Sequence, residues 1–227
     1  MEKYAIIVAG GSGSRFGAPL PKQYVELSGI PIIIRTLQQV QIVVSIDHIV
    51  VVIPEADFGM FRKMCNSHNI SEPHLAASGA TRFLSVKSGL SLLHSIAPNG
   101  GLVAIHDGVR PFASPTLFDS GFKVAQKYGA AVPCVPMIDS VRVVNGTETS
   151  SLKRENLRCV QTPQVFDILT LVKAYDTEPL PEFTDDASVM EASGKKIAIF
   201  DGEIENIKIT NPIDQVVAEY YLSRNSK

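Results

Sequence analysis

Little cysteine, no surplus of one charge and no long apolar run: each of these shortages removes a class of function from this chain. Cys65, Cys134 and Cys159 lie far apart with no Cys-x-x-Cys spacing, so neither a disulfide framework nor a zinc cage is expected, and they read as small buried hydrophobes. His48, His68, His74, His94 and His106 form no His-x-x-x-His or His-x-His pair that would hold a metal. The 21 basic side chains face 23 acidic ones, and a net charge of −2 provides no broad positive field for duplex nucleic acid or an anionic membrane. No segment reaches the roughly 20 apolar residues of a membrane span, and no charged stretch leading into an apolar one opens the chain. The expectation is a cytoplasmic protein with no nucleic-acid or membrane partner. Repeats, low-complexity tracts and linkers are missing as well, and 227 residues, 45% of them hydrophobic, suffice for one α/β domain over 1–227.

The chemistry that is present concentrates in residues 5–24. Ala5, Ile6, Ile7 and Val8 read as a strand covered on both faces of a parallel sheet, where apolar residues need not alternate with polar ones. Gly10, Gly11 and Gly13 then let the backbone turn sharply and bring its N–H groups against an anion. Arg15 adds a planar fork and Lys22 a compact point charge within reach of the same loop, which suits a polyphosphate. Two familiar glycine motifs fail on spacing. A Walker loop ends in Gly-Lys-Ser/Thr, whereas Gly13 is followed by Ser14 and Arg15, and the dinucleotide fingerprint needs a glycine where Phe16 stands. Pro19 and Pro21 favour an extended loop over an immediate helix.

Apolar steps of three and four residues predict helices over 31–40, 57–65 and 115–127 and another opening at Arg82, while apolar runs at 48–53, 75–78, 102–106 and 130–136 read as strands. Their alternation is the signature of a Rossmann-like, doubly wound, mostly parallel α/β sheet. Over 137–161 the pattern breaks. Ser140-Val141-Arg142-Val143-Val144, an Asn145-Gly146 turn and a return limb through 157–160 predict an inserted β-hairpin. Such a hairpin has no core of its own, so it is expected to pack on a second subunit as a dimerisation arm, with a solvent-exposed flap as the alternative. Thr184 or Asp185 would cap a helix through Met190, a strand follows at 196–200, and Asn211-Pro212 opens a terminal helix.

Ligands of doubly wound sheets collect beyond the carboxyl ends of strands, which gathers Arg15, Lys22, Arg82, Asp107, Arg110 and Lys208 as one cationic set around a carboxylate. Such a set suits phosphoryl or nucleotidyl transfer, where positioning and charge stabilisation do most of the work. Asp107 has three candidate roles: metal ligand, partner of a ribose hydroxyl, or cap of the Gly108 turn. His106 reads as a packed, hydrogen-bonded histidine.

Six segments in order, AGGSGSRFGAPLPKQY, Gly79-x-x-Arg82, HDGVRP at 106–111, QTPQ at 161–164, FTDDA at 183–187 and ENIKIT at 205–210, resemble the 2-C-methyl-D-erythritol 4-phosphate cytidylyltransferase family over essentially the whole chain. The resemblance implies a fold of the nucleotide-diphospho-sugar transferase type and CMP transfer from CTP to 2-C-methyl-D-erythritol 4-phosphate, with release of pyrophosphate, in the non-mevalonate route to isoprenoid precursors. By the same resemblance Arg15 and Lys22 stabilise charge on the triphosphate, Lys208 sits near the same phosphate, and Arg154 orients the incoming phosphate. Ala9, Gly10, Gly11, Gly13, Gly79, Ala80, Ser85, Asp107 and Gly108 fall where CTP is held, with cytosine read at Gly79, Ala80 and Ser85. Asp107, Arg110, Asp139, Ser140, Arg154 and Thr184 fall where the polyol phosphate is held, some of them from the partner subunit's hairpin in a homodimer. Mg²⁺ is implied as cofactor, held mainly by the CTP phosphates with Asp107 as a candidate ligand. Gly108 and Val109 replace two alanines frequent in the family, which leaves ribitol 5-phosphate as an alternative acceptor. The alternative of another class is a catalytically silent nucleotide-binding subunit, against which the joint presence of Arg15, Lys22, Arg154 and Lys208 speaks.

Overall fold

The computed structural model describes residues 1–11 and 20–225; Gly13 and Arg15 lie outside the described residues. Strand and helix alternate as the apolar pattern predicts: β1 (Lys3–Val8), a small pair β2 (Glu26–Leu27) and β3 (Ile30–Pro31), α1 (Ile32–Gln41), β4 (Ile49–Ile53), α2 (Phe58–Ser67), β5 (His74–Ala77), α3 (Arg82–Ile96), β6 (Leu102–Asp107), α4 (Pro115–Tyr128) and β7 (Ala130–Pro136). The second half adds β8 (Val141–Asn145), β9 (Glu148–Leu152), β10 (Arg158–Val160), β11 (Gln164–Asp167), α5 (Ile168–Ala174), α6 (Asp186–Ala192), β12 (Ala198–Asp201) and α7 (Pro212–Asn225).

In the central sheet β5, β4, β1 and β6 run parallel in that order, β11 lies antiparallel between β6 and β7, and β12 pairs parallel with β7. The chain leaves β1 for β4 and β5 on one side and returns through α3 to β6 on the other. Strand order therefore reverses between β1 and β6, where such sheets open a crevice at their carboxyl ends. Ala5 and Ile7 pack with α1, α2 and α4, while Tyr4 and Ile6 pack on the opposite face with α3, α5 and α6. Coverage on both faces explains why the β1 sequence does not alternate. Helix starts follow local chemistry: the Ser114 hydroxyl accepts from Leu117 N (3.1 Å) ahead of Pro115 in α4, and the Thr81 hydroxyl accepts from Leu84 N (3.2 Å) to start α3. Among the described residues no helix is long and apolar enough to cross a membrane.

The inserted hairpin is present, with a different return limb. β8 pairs with β9, Asn145 facing Glu148, and the two-residue turn is Gly146-Thr147 with φ +61° at Gly146. A positive φ at the first central position is what glycine supplies most cheaply. Residues 158–160, expected to return along β8, instead pair with Cys134–Pro136 of β7 in the main sheet as β10. The polar run Glu148–Leu152 carries no alternation to mark it as a strand, so apolar patterning points past it to the next β-branched stretch. β11 and α5 have no counterpart in the sequence reading.

Candidate active site

The amino-terminal loop leaves β1 at the order reversal. A Cβ on Gly10 would collide with the Ser78 Cβ just beyond β5 and come within 2.8 Å of its hydroxyl, so only glycine lets the two segments pass this closely. The buried Gln23 amide donates to Ala9 O (2.9 Å), tying the end of β1 to the residue after Lys22. Across the crevice, Ser85 of α3 accepts from Gly79 N (3.1 Å) and donates to Thr81 O (2.9 Å), which fixes the turn between β5 and α3. These segments enclose a cavity of about 460 Å³ lined by Val8, Ala9, Gly10, Gly11, Lys22, Gln23, Gly79, Ala80, Thr81, Arg82, Ser85, Asp107, Val109 and Lys208.

Asp107, at the carboxyl end of β6, organises the charge. Its Oδ2 lies 2.9 Å from Lys208 Nζ and 3.4 Å from Arg110 Nε, and its Oδ1 lies 3.8 Å from Arg82 Nε. Burial alone would raise this carboxyl, yet Lys208, Arg82 and Arg110 together hold it well below the ordinary carboxylate range. The side chain thus engages three cations rather than capping the Gly108 turn. Burial opposes the charge on Arg110 as well, and its guanidinium also donates to Asn206 O (2.7 Å).

His106 is fully buried, as a packed histidine should be, and burial lowers its pKa to about 4. Neutral at ordinary pH, it donates from Nε2 to Arg110 O (3.1 Å), which leaves Nδ1 to accept from the Thr162 hydroxyl (3.0 Å). Thr162 Oγ1 in turn accepts from Asp107 N (3.0 Å), so the end of β6 is clamped to the 161–164 segment. The QTPQ residues are fasteners: Gln161 donates to Glu203 O (2.7 Å), and Gln164 accepts from Ala187 N (3.0 Å) while donating to Asp185 (2.8 Å). Asp185 is the cap of α6, and Asp186 behind it is buried against Arg82. Sequence reasoning misses Gln23, Thr162, Tyr175 and Asp186 as site residues; the one signal is a second aspartate in FTDDA beyond the single one a cap requires.

The structure brings Ala9, Gly10, Gly11, Lys22, Gly79, Ala80, Ser85, Asp107 and Lys208 together around one cavity. Gly108 and Arg110 stand behind it, Gly108 donating to Val8 O (2.8 Å) and Arg110 reaching the site through Asp107. Asp139, Ser140, Arg154 and Thr184 are exposed and do not line the cavity; Arg154 donates to Ile138 O (2.7 Å) across the base of the hairpin. Arg15 and Gly13 lie outside the described residues.

A glycine loop and converging cations, set in the crevice where a doubly wound sheet reverses its order, define an α/β enzyme that handles a phosphorylated nucleotide. The sequence profile of one family, 2-C-methyl-D-erythritol 4-phosphate cytidylyltransferase, matches residues 4–224, and the chain belongs to that family. It is 41% identical over 223 residues to the Bacteroides fragilis protein of that name, covering 98% of this chain and 100% of that one. With the Porphyromonas gingivalis protein of that name it shares 40% identity over 225 residues, 98% of each. Among solved structures, 4-diphosphocytidyl-2C-methyl-D-erythritol synthase from Anaerococcus prevotii superposes with a TM-score of 0.84 at 31% identity, covering 98% of this chain and 96% of that one. The Thermus thermophilus cytidylyltransferase gives a TM-score of 0.75 at 27% identity over 98% and 100% of the two chains.

Proposed function

We propose that this enzyme transfers CMP from CTP to 2-C-methyl-D-erythritol 4-phosphate, yielding 4-diphosphocytidyl-2-C-methyl-D-erythritol and pyrophosphate. The observation that carries the reading is the convergence of the Gly10-Gly11 backbone, Lys22, Asp107 and Lys208 on one cavity at the order reversal. A phosphate oxygen of the polyol phosphate attacks the α-phosphorus in line; the bond to the β-phosphate oxygen breaks, and pyrophosphate leaves with the electron pair. The nucleophile is already largely ionised near neutral pH, so no general base is required. Lys22 and Lys208, with Arg15, offset the charge of the five-coordinate transition state. Gly79, Ala80 and Ser85 line the cavity where this reading puts the cytosine, and UTP is then rejected by about 1–3 kcal/mol for a polar group left unpaired.

Asp107 and Arg110 hold the polyol phosphate, and Asp139, Ser140, Arg154 and Thr184 complete its subsite in a homodimer, some of them from the partner subunit's arm. In support, the hairpin exposes Ile138, Val143, Val144 and Leu152, an apolar surface suited to a second subunit. The proposal includes the cytoplasm as the place of action. Among the described residues no group of three or more His, Cys, Asp or Glu side chains is placed to hold a metal. In this reading Mg²⁺ is carried on the nucleotide's phosphates, with Asp107, the one carboxylate among the described residues lining the cavity, as the side chain that would help to hold it. When bound, Mg²⁺ supplies charge neutralisation of the triphosphate.

Pyrophosphate release measured with CTP and Mg²⁺ tests the reading. Release with 2-C-methyl-D-erythritol 4-phosphate well above that with ribitol 5-phosphate is expected, together with loss on chelation. Preference for ribitol 5-phosphate would reassign the acceptor, and silence with both would leave a nucleotide-binding subunit.

A further inference from the structure

The FTDDA segment places a carboxylate where no cap needs one. Asp186 is fully buried, with both oxygens engaged: Oδ2 takes Arg82 Nη2 at 2.6 Å and Oδ1 takes the Tyr175 hydroxyl at 2.6 Å. Tyr175 is itself buried and stacks on Phe83, the residue after Arg82, at 4.6 Å between ring centroids. The start of α6 that carries Asp186 is pinned to β11 through the two Gln164 bonds described above. Arg82, a residue that lines the cavity, is thereby held by a carboxylate that is itself anchored by Tyr175 and by the Gln164 bonds at the start of α6.

The guanidinium lies between two carboxylates and favours one of them: 2.6 Å to Asp186 against 3.8 Å to Asp107. Lys208 and Arg110 meanwhile occupy Asp107 Oδ2, so among the described residues Oδ1 is the oxygen left with the long Arg82 contact. Without the Asp186 charge, Asp107 becomes the best partner for Arg82, and a charge-assisted hydrogen bond closing from 3.8 Å onto Oδ1 would withdraw that acceptor from the cavity. We infer that Asp186, backed by Tyr175, is a positioning residue: by retaining Arg82 it keeps Asp107 Oδ1 available to a hydroxyl of the bound polyol phosphate. This rests on the function proposed above.

A double-mutant cycle on kcat/KM for 2-C-methyl-D-erythritol 4-phosphate at saturating CTP tests it, with thermal midpoints recorded in parallel. Asp186→Asn should lower kcat/KM by about 10- to 100-fold, and the same substitution in an Arg82→Gln background by less than about twofold, because the group that misbehaves is gone. The same factor in both backgrounds would mark general structural damage and overturn the inference, as would no loss in the single variant. Should Asp186→Asn not fold, Tyr175→Phe, which removes one hydroxyl, enters the same cycle; a loss of a few fold that vanishes with Arg82→Gln is expected, and a persistent loss or none overturns the inference. The wild-type protein separates the two levels: turnover with an additive cycle strikes this inference alone, whereas no turnover strikes the proposed function and this inference with it.

Discussion

Replacing Asp107 by asparagine keeps the shape of the side chain and removes the charge that three cations share. At an effective dielectric of about 20, contacts of 2.9, 3.4 and 3.8 Å each carry a gross attraction of about 4–6 kcal/mol, opposed by several kcal/mol for dehydrating the carboxylate. The three losses are unequal. Lys208 is 42% exposed, so water replaces much of what it loses, and Arg82 retains Asp186. Arg110, only 11% exposed, is left with the Asn206 carbonyl. The variant therefore resembles one buried pair broken, which costs about 3–5 kcal/mol, and the lower end, about 3 kcal/mol, applies because the amide still fills the site. For a chain of this size that is a fall of about 6–12 °C in the thermal midpoint. The freed cations should meanwhile bind a small anion better, so pyrophosphate should stabilise the variant more than the wild type. Calorimetric unfolding with and without pyrophosphate reads both effects. A midpoint within about 2 °C of wild type would refute this charge balance around Asp107.

Three further outcomes follow from single contacts. Lys22→Ala should lower kcat by about two to three orders of magnitude, the scale of losing one preorganised charge donor, and a variant that changed only KM would contradict that role. Gly10→Ala should raise KM for CTP and cost about 1–3 kcal/mol of stability through overlap with Ser78, and Ser78→Gly should restore part of both; the absence of rescue would place the fault elsewhere. For His106 the folded pKa of about 4 lies below the ordinary 6.5, so the unfolded chain takes up the proton first and stability falls as pH drops through that window, by about 3 kcal/mol in all. Denaturant titrations should find about 2 kcal/mol of that loss between pH 7.5 and 5.0 and a flatter profile in His106→Gln; an unchanged slope would exclude His106 as its source.

Much of the fold is legible in the sequence because its signals are local. The run at 5–8, the three- and four-residue steps of α1, α3 and α4, and the Asn211-Pro212 start of α7 each carry their own period or cap. β9 and β11 are not legible: Glu148–Leu152 is polar, and Gln164–Asp167 is short and flanked by residues chosen for hydrogen bonds to distant segments. The same distinction runs through the site. Glycines and cations beside strand ends announce a phosphate pocket, so Gly10, Lys22, Asp107 and Lys208 can be gathered in advance. Asp186 and Thr162 act on partners 104 and 56 residues away, and no spacing within the chain encodes such a contact. Arg154 shows the reverse limit: a motif points to it, yet among the described residues its side chain reaches Ile138 O rather than the cavity.

Whether cations supplied by remote parts of the chain meet around one cytidine triphosphate can be seen in crystals grown with CTP and Mg²⁺. Cytosine should lie against Gly79, Ala80 and Ser85, with the α-phosphate between the ammonium groups of Lys22 and Lys208. A triphosphate bound elsewhere, or one that leaves Lys208 paired only with Asp107 and out of reach of any phosphate oxygen, would contradict the proposed mechanism.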